Sequence, residues 1–251
     1  MTGARRGREE KPLQEHDPNS PRNLTTTLIS VGGAMAATLA LIVFFVSGTF
    51  DALITPPATP PPATFTPIAG LTPPGNVTPI PSGEVPETPA GDGTTAIIRT
   101  DLGDIVMELY NESSPVAAQN FINLAEAGFY EGIIFHRVIP GFVIQGGDPS
   151  GTGSGGPGFT IPDEPVVGEY ERGIVAMARR PGVANSQSSQ FFIVLDDSVA
   201  DRLPKTDGYA IFGKVVEGLD VVDEIAAAET GAGDRPIDPV RILEVTIQPV
   251  G

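Results

Sequence analysis

Residues 94–251 are predicted to form a mostly β domain, a barrel accompanied by two helices. Short apolar segments alternate with glycine-rich loops along this part of the chain, whereas only two segments have helical periodicity. A parallel α/β sheet would need a helix after most strands, so the pattern favours a barrel. The predicted strands are Ala96–Thr100, Asp104–Leu109, Ile133–Val138, Phe142–Gly146, Ile174–Ala178, Phe191–Leu195, Ile211–Val215 and Arg241–Gln248.

The two predicted helices are placed by their end signals and their apolar spacing. Pro115 suits the first position of a helix, and Ser113 or Ser114 can serve as its N-cap. Gly128 can end this helix, because glycine tolerates the left-handed conformation common after a last turn. A second helix is predicted over Leu219–Ala227, with apolar residues on one side.

Composition limits the classes of function. The net charge is −16, and from Thr95 onward 23 acidic residues face 10 basic ones, so phosphate backbones would be repelled and nucleic-acid binding is not expected. The chain has no cysteine, which excludes disulfides, thiolate metal sites and cysteine nucleophiles. About 157 residues remain for the folded part, and a domain of that size can be stable without such links.

The first 93 residues divide into three predicted segments. Residues 1–23 are polar and predicted to be a disordered cytoplasmic tail. Residues 24–50 lack charge, and Leu28–Val46 is long enough for one transmembrane helix. A cleaved signal peptide and a buried core helix are the alternatives, but the polar region before the apolar run is longer than signal peptides usually have. Residues 51–93 contain twelve of the 26 prolines, which predicts an extended linker. Few contacts are expected between this linker and the folded domain that follows it.

The distribution of basic residues predicts the orientation of the protein in the membrane. Five basic residues precede the apolar run and none lies between Asp51 and Thr95, so the N-terminus is expected in the cytoplasm. The prediction is a single-pass protein of the cell membrane, monomeric, with its folded domain extracytoplasmic. The PxxP spacings of the linker could also suit proline-binding modules, although a plain stalk is the simpler interpretation.

Most familiar catalytic arrangements are missing from residues 94–251. His136 is the single histidine there, which argues against a histidine-rich zinc site, and no G-x-S-x-G elbow exists for a hydrolase. The run Gly151–Gly158 lacks the lysine of a phosphate-binding P-loop and is interpreted as a structural loop. The acidic pairs Asp163-Glu164 and Asp196-Asp197 are interpreted as solvated surface. None of these features predicts a metal site.

Two segments remain unusual in placing polar side chains among aromatic ones. They read FHRVIPGFVIQGGD over 135–148 and SSQFFIVL over 188–195, and the two-residue period of a strand puts Gln190 and Phe192 on one face. With AMAR at 176–179 and YAIFGKVVEGLDVVDEI at 209–225, they resemble the signature blocks of the cyclophilins in order and spacing. The resemblance covers about Thr95 to Gln248.

This resemblance implies a closed eight-stranded antiparallel barrel capped by two helices, which isomerises X-Pro peptide bonds without a cofactor. It implies catalytic roles for Arg137 and Gln145. It also implies a substrate-binding wall formed by Phe142, Val143, Ala178, Arg179, Gln190, Phe192, Leu203 and Tyr209. Ideal strand alternation would not place Phe142 and Gln145 on the same face, so the resemblance alone assigns both to the site. Phe135 and Phe191 are expected in the core, and His136 is expected to make a structural hydrogen bond.

The sequence departs from the family pattern at one rim of this site. Many relatives have a tryptophan before a Leu-Asp-Gly turn, but this chain has no tryptophan and reads RLPKTDG over 202–208. Tyr209 stands where a histidine is common. Weak binding of the family's cyclic-peptide inhibitor, cyclosporin, is therefore expected.

The function expected is isomerisation of prolyl bonds in proline-containing polypeptides, in aid of the folding of exported or surface proteins. The alternatives are a non-catalytic proline-peptide-binding or holdase module on the same barrel, and a domain that is merely structural. Loss of the arginine or the glutamines would favour these alternatives, but Arg137, Gln145 and Gln190 are all present.

Overall fold

The computed structural model describes residues 70–75, 77–80, 88–206 and 208–249. The predicted tail, the predicted span at 24–50 and most of the linker lie outside these residues. Within the described ranges, no helix combines the length and the apolar character needed to cross a membrane.

The described residues form one eight-stranded antiparallel sheet with two α-helices. This confirms the prediction of a mostly β fold with two helices. Its strands are β1 Thr95–Thr100, β2 Gly103–Leu109, β3 Arg137–Ile139, β4 Val143–Gly146, β5 Ile174–Met177, β6 Phe191–Val194, β7 Ile211–Glu217 and β8 Ile242–Gln248. The helices are α1 Pro115–Glu126 and α2 Leu219–Ala226, with short 3₁₀ helices at Asp197–Asp201 and Ala232–Asp234. The strand order is β3-β4-β6-β5-β7-β2-β1-β8.

The prediction of a closed barrel is wrong, because the sheet is a curled half-barrel with β3 and β8 at its edges. In place of the predicted strand Ile133–Val138 the chain has the shorter β3 at Arg137–Ile139, which pairs with β4 and not with β8. The chain before β3 meets the start of β8 through an isolated bridge between Ile134 and Arg241, and through a 2.8 Å hydrogen bond from Ile242 N to Ile133 O.

The first helix begins at Pro115 as predicted, but its capping differs from the prediction. Ser114 makes no capping hydrogen bond, since its hydroxyl instead donates to Ile211 O at 2.7 Å. The carboxylate of Glu164 accepts from Val116 N at 2.9 Å and from Ala117 N at 2.8 Å. It thereby satisfies two backbone donors that the helix leaves unpaired at its N-terminus.

Glu164 is therefore not the solvated surface residue that the sequence suggested, because it is 6% exposed. Its neighbour Asp163 is also engaged, accepting from Asn185 N at 2.9 Å and from Gln187 Nε2 at 3.1 Å. These partners are distant in sequence, which is why a local pattern could not reveal them. At the other end of α1, Gly128 has a φ of +70° and marks the end of the helix as predicted.

Two apolar clusters fill the fold. The larger one lies between the sheet and the helices, where the rings of Phe121 and Phe191 meet edge to face with centroids 5.7 Å apart. Phe135 and Phe191 are fully buried there, which confirms their predicted place in the core. The smaller cluster contains Val143 and Phe192 and lies under the candidate site. The side chains of the site thus stand on a packed base.

The described end of the linker contacts the domain. Ala90 N donates to Ser113 Oγ at 3.1 Å, and Ala90 O accepts from Glu112 N and Ser113 N, each at 3.2 Å. Asp92 N donates to Asn111 Oδ1 at 2.9 Å. Residues 88–93 therefore lie along the turn that connects β2 to α1. The predicted domain boundary at residue 94 stays a prediction.

Candidate active site

One open cavity of about 300 Å³ lies over β3, β4 and β6, beside the loops that follow β5 and the first 3₁₀ helix. All ten residues predicted for the site line it: Arg137, Phe142, Val143, Gln145, Ala178, Arg179, Gln190, Phe192, Leu203 and Tyr209. The structure thus brings the predicted residues together, whereas their individual roles stay predictions.

Arg137 and Gln145 occupy one wall of the cavity as partners across two strands. Arg137 opens β3 and pairs in register with Gln145 on β4. The Arg137 side chain is 40% exposed, and its Nε lies 3.4 Å from Asp234 Oδ2. A guanidinium stays charged at any physiological pH and presents its donors in a rigid plane. The cavity therefore has a fixed cationic donor beside an amide.

The two glutamines of the wall are linked to each other. Gln145 Nε2 donates to Gln190 Oε1 at 2.9 Å. Gln190 Nε2 in turn donates to the backbone oxygens of Gly153 at 3.1 Å and Gly155 at 2.9 Å. Because Gln190 is only 9% exposed, these bonds replace water as partners of its amide.

The apolar part of the cavity is built from Phe142, Val143 and Phe192. Phe142 precedes β4 in a turn, so strand alternation does not apply to it and it can share the cavity with Gln145. Phe192 is 5% exposed and meets the ring of Tyr209 edge to face, with centroids 5.3 Å apart. Such aromatic pairs favour this geometry and hold a concave apolar surface in place.

The rim without tryptophan is formed by the loop that precedes β7. Leu203 and Tyr209 line the cavity there, and the guanidinium carbon of Arg202 lies 4.2 Å from the centre of the Phe142 ring. This cation–π contact was not foreseen, because Arg202 lies in a loop that aligns poorly with the family pattern. The loop is anchored by buried Tyr170, whose hydroxyl donates to Tyr209 O and accepts from Tyr209 N, both at 2.9 Å. Burial raises the pKa of Tyr170 to about 12, so the hydroxyl stays protonated.

Ala178 and Arg179 follow β5 at the other side of the cavity. The Arg179 side chain is 6% exposed; it pairs with Asp163 at 3.5 Å and donates to Gly208 O at 3.4 Å. Its guanidinium is therefore engaged with the protein.

His136 does not make the structural hydrogen bond expected of it. The side chain is 5% exposed, and neither ring nitrogen has a hydrogen-bond partner among the described residues. Burial lowers its pKa, and the neighbouring Arg235 and Arg137 lower it further while Asp148 opposes them. A neutral ring avoids the cost of burying a charge.

Sequence reasoning missed several residues of the cavity wall. They are Gly153, Arg180, Pro181, Ser186 and Ser188. The glycine run containing Gly153 was visible as a loop, but nothing local indicated that it folds against the site. Within the described part of the chain, no cluster of three or more histidine, cysteine or carboxylate side chains could hold a metal ion.

The described residues thus form a curled antiparallel sheet with two helices, which has one cavity lined by an arginine, two glutamines and an aromatic pocket. Residues 95–247 match the family model described as "Cyclophilin type peptidyl-prolyl cis-trans isomerase/CLD". The chain belongs to this family, and it is a peptidyl-prolyl cis-trans isomerase.

Individual relatives agree with the family match. The peptidyl-prolyl cis-trans isomerase ppi1 of Schizosaccharomyces pombe is 44% identical over 151 residues, which cover 59% of this chain and 94% of the relative. An isomerase of Arabidopsis thaliana is 42% identical over 156 residues, covering 60% of this chain and 93% of that protein. A solved cyclophilin-type isomerase of Cryptosporidium parvum, crystallised in the presence of the dipeptide Ala-Pro, has a TM-score of 0.57 and 34% identity. The matched region covers 62% of this chain and 99% of the Cryptosporidium chain.

Proposed function

We propose that this protein is a membrane-tethered isomerase that accelerates rotation about X-Pro bonds in exported or surface polypeptides. The observation that carries the proposal is the single cavity in which Arg137, Gln145 and the apolar pocket around Phe192 come together. The dipeptide Ala-Pro used with the Cryptosporidium relative supports a proline-containing peptide as substrate.

The chemistry follows from the nature of the prolyl amide. Rotation about a peptide bond has a barrier of about 18–20 kcal/mol, because the nitrogen lone pair is delocalised into the carbonyl group. In the twisted state that lone pair is localised on nitrogen and can accept a hydrogen bond. The guanidinium of Arg137 supplies a charged donor on the cavity wall, and a donor that pairs better with the twisted amide lowers the barrier.

The apolar pocket holds one side of the bond still. A proline ring fits against Phe142, Val143 and Phe192, which have no donors or acceptors that would need water. The acyl side of the bond then rotates toward the wall that carries Gln145 and Gln190. No cofactor is required, because no bond is broken or formed.

The proposed location rests on the sequence of residues 24–50, which is uncharged and follows five basic residues. A monomeric catalytic domain outside the cytoplasm would meet chains leaving the membrane, where proline isomerisation can be a slow folding step.

The decisive experiment is a protease-coupled isomerisation assay of the full chain in detergent, comparing the wild type with Arg137→Ala. We expect kcat/KM to fall about 10²-fold, since the loss of one transition-state donor costs that order of rate. Arg99→Ala is the matched control, because Arg99 is an exposed arginine of β1 paired with Glu244 away from the cavity. Wild-type activity in a folded Arg137→Ala protein would refute the mechanism. A wild type that binds proline peptides without isomerising them would favour the non-catalytic alternative.

A further inference from the structure

The loop that follows β4 is wound around a buried carboxylate. Asp148 is 1% exposed, and its Oδ1 accepts from both the backbone N and the Oγ of Ser150 at 2.7 Å. Its Oδ2 accepts from the backbone N of Thr152 at 3.1 Å, of Gly153 at 2.6 Å and of Gly155 at 3.0 Å. Backbone donors thus compensate this buried charge. Burial acts to raise the pKa of Asp148, but the hydrogen bonds outweigh it and the pKa lies below its usual value.

The loop closes tightly on this carboxylate. A Cβ atom added at Gly155 would clash with Asp148 Oδ1, so no larger residue fits there without displacing the acid. The loop is also held from outside, because Arg235 Nη1 donates to Gly151 O. The glycine run Gly151–Gly158, predicted to be a structural loop, therefore encloses an anion, and that anion is a side chain of the protein itself.

The same loop determines which way the Gln190 amide points. Gly153 and Gly155, whose N–H groups bind Asp148, are the residues whose carbonyl oxygens accept from Gln190 Nε2. An amide nitrogen has two hydrogens, and both are used by these carbonyls. A flipped amide would set its oxygen against two carbonyl oxygens, so Gln190 Oε1 is left facing Gln145 Nε2.

We propose that Asp148 is a positioning residue of the isomerase site: it holds the loop whose carbonyls orient Gln190, and through Gln190 it orients Gln145 on the cavity wall. The proposal rests on the proposed function and extends it to a residue outside the cavity. Asp148 itself acts only through the loop.

Asp148→Asn is the direct test, because the side chain keeps its shape while an NH₂ group replaces one acceptor of the backbone donors. We expect kcat/KM to fall about tenfold, as small misplacements of groups around a reacting bond cost up to about 10²-fold. In a Gln190→Ala background, Asp148→Asn should lower kcat/KM by less than about twofold. A change of that size lies within the usual deviation from additivity of independent substitutions. An equal fractional loss in both backgrounds would overturn the proposal, since a general structural effect does not depend on Gln190.

Glu164→Gln provides the matched control. Glu164 is also a buried carboxylate that binds backbone N–H groups, but it caps α1 and has no contact with the glutamines. It should destabilise the fold without a comparable loss of kcat/KM. If Asp148→Asn does not fold, Ser150→Ala removes the 2.7 Å hydroxyl bond to Asp148, together with a 2.8 Å hydroxyl bond to Thr152 of the same loop, and should give a smaller loss in the same direction. Unchanged kcat/KM in a folded Ser150→Ala protein would then refute the proposal.

The side-chain amide NMR signals of Gln145 and Gln190 distinguish the positioning role of Asp148 from the proposed isomerase function. We expect both to shift or broaden in Asp148→Asn and to stay in place in Glu164→Gln. Unchanged signals in Asp148→Asn would overturn the positioning role whatever the activity. Shifted signals in a protein without isomerase activity would leave the positioning intact and overturn only the proposed function.

Discussion

Arg137 Nε lies 3.4 Å from Asp234 Oδ2, although 97 residues separate the two in sequence. Asp234 ends a short 3₁₀ helix with a φ of +58°, a left-handed conformation that few residues other than glycine adopt. The two side chains are 40% and 48% exposed, and the terminal nitrogens of Arg137 have no partner among the described residues. Asp234 therefore contacts one edge of the guanidinium, and Arg137 also lines the cavity.

Removal of this acceptor should weaken catalysis modestly. We expect Asp234→Asn to lower kcat/KM by less than about fivefold, because exposed ion pairs contribute about 0.2–1 kcal/mol. Glu244→Gln removes the charge of the exposed pair with Arg99, which lies on β1 and β8 at the edge of the sheet opposite β3, and should leave kcat/KM unchanged. A rise in kcat/KM in Asp234→Asn would show that the carboxylate weakens the arginine as a donor instead of orienting it.

The altered rim should weaken inhibition by cyclosporin. Aromatic anchors commonly dominate small apolar interfaces, and this rim presents Leu203 and Tyr209 in place of a tryptophan. Arg202 also covers the Phe142 ring, so an inhibitor would have to displace it. We expect a weaker Kd by titration than that of a tryptophan-bearing relative measured alongside. Equal affinity would show that Tyr209 or the Leu203 loop compensates for the missing ring.

The contacts of residues 88–93 should stabilise the domain without affecting its chemistry. A fragment 94–251 lacks the hydrogen bonds of Ala90 and Asp92, each of which contributes about 0.5–1.5 kcal/mol when well formed. We expect urea unfolding to give it a lower free energy of unfolding than fragment 88–251, with equal kcat/KM on a short proline peptide. Gly91→Ala provides a point-mutant comparison, since a Cβ there would lie within van der Waals radius of Leu109 O. A tenfold lower activity of the folded shorter fragment would show that this segment contributes to the site.

Glu164 should make the free energy of unfolding fall as the pH rises. Burial raises its pKa above 4.5, and the hydrogen bonds from Val116 N and Ala117 N only partly offset this. The folded state therefore binds the proton of Glu164 more tightly than the unfolded state does. The stabilisation that results from this difference is fully present below pH 4.5 and is lost as the pH rises through the raised pKa. The free energy of unfolding of the wild type, relative to Glu164→Gln, should fall over that interval. A difference that rises with pH would mean that the capping bonds outweigh burial.

The predicted span gives a test of topology in intact cells. Protease added outside should release a soluble fragment that contains residues 94–251, because the proline-rich linker precedes the domain on the same side. Antibody detection of the fragment before and after lysis measures this directly, with a cytoplasmic protein as the control for intact membranes. Protection of the domain until lysis would reverse the orientation.

Local sequence was sufficient for the elements whose signals lie within a few residues. The predicted strands β1 and β2 form and bury alternate residues such as Ala96, Ile98 and Ile105, and Pro115 and Gly128 bracket α1. These features depend on side-chain period and on allowed backbone angles, which any short stretch of chain reveals. The ten predicted residues of the site were reached differently, by a resemblance in whole blocks, because no period joins Phe142 to Gln145.

Only the tertiary structure determined which charged groups pair with partners distant in sequence and where the sheet ends. Glu164 caps a helix that begins 49 residues earlier, and Asp234 meets an arginine 97 residues away. The sheet is open between β3 and β8, where Ile134 and Arg241 form an isolated bridge in place of a continuous ladder. Each of these depends on contacts between distant segments. The propensities of the separate segments do not encode such contacts, because the free energy of a buried polar group depends on the partners that the complete fold brings to it.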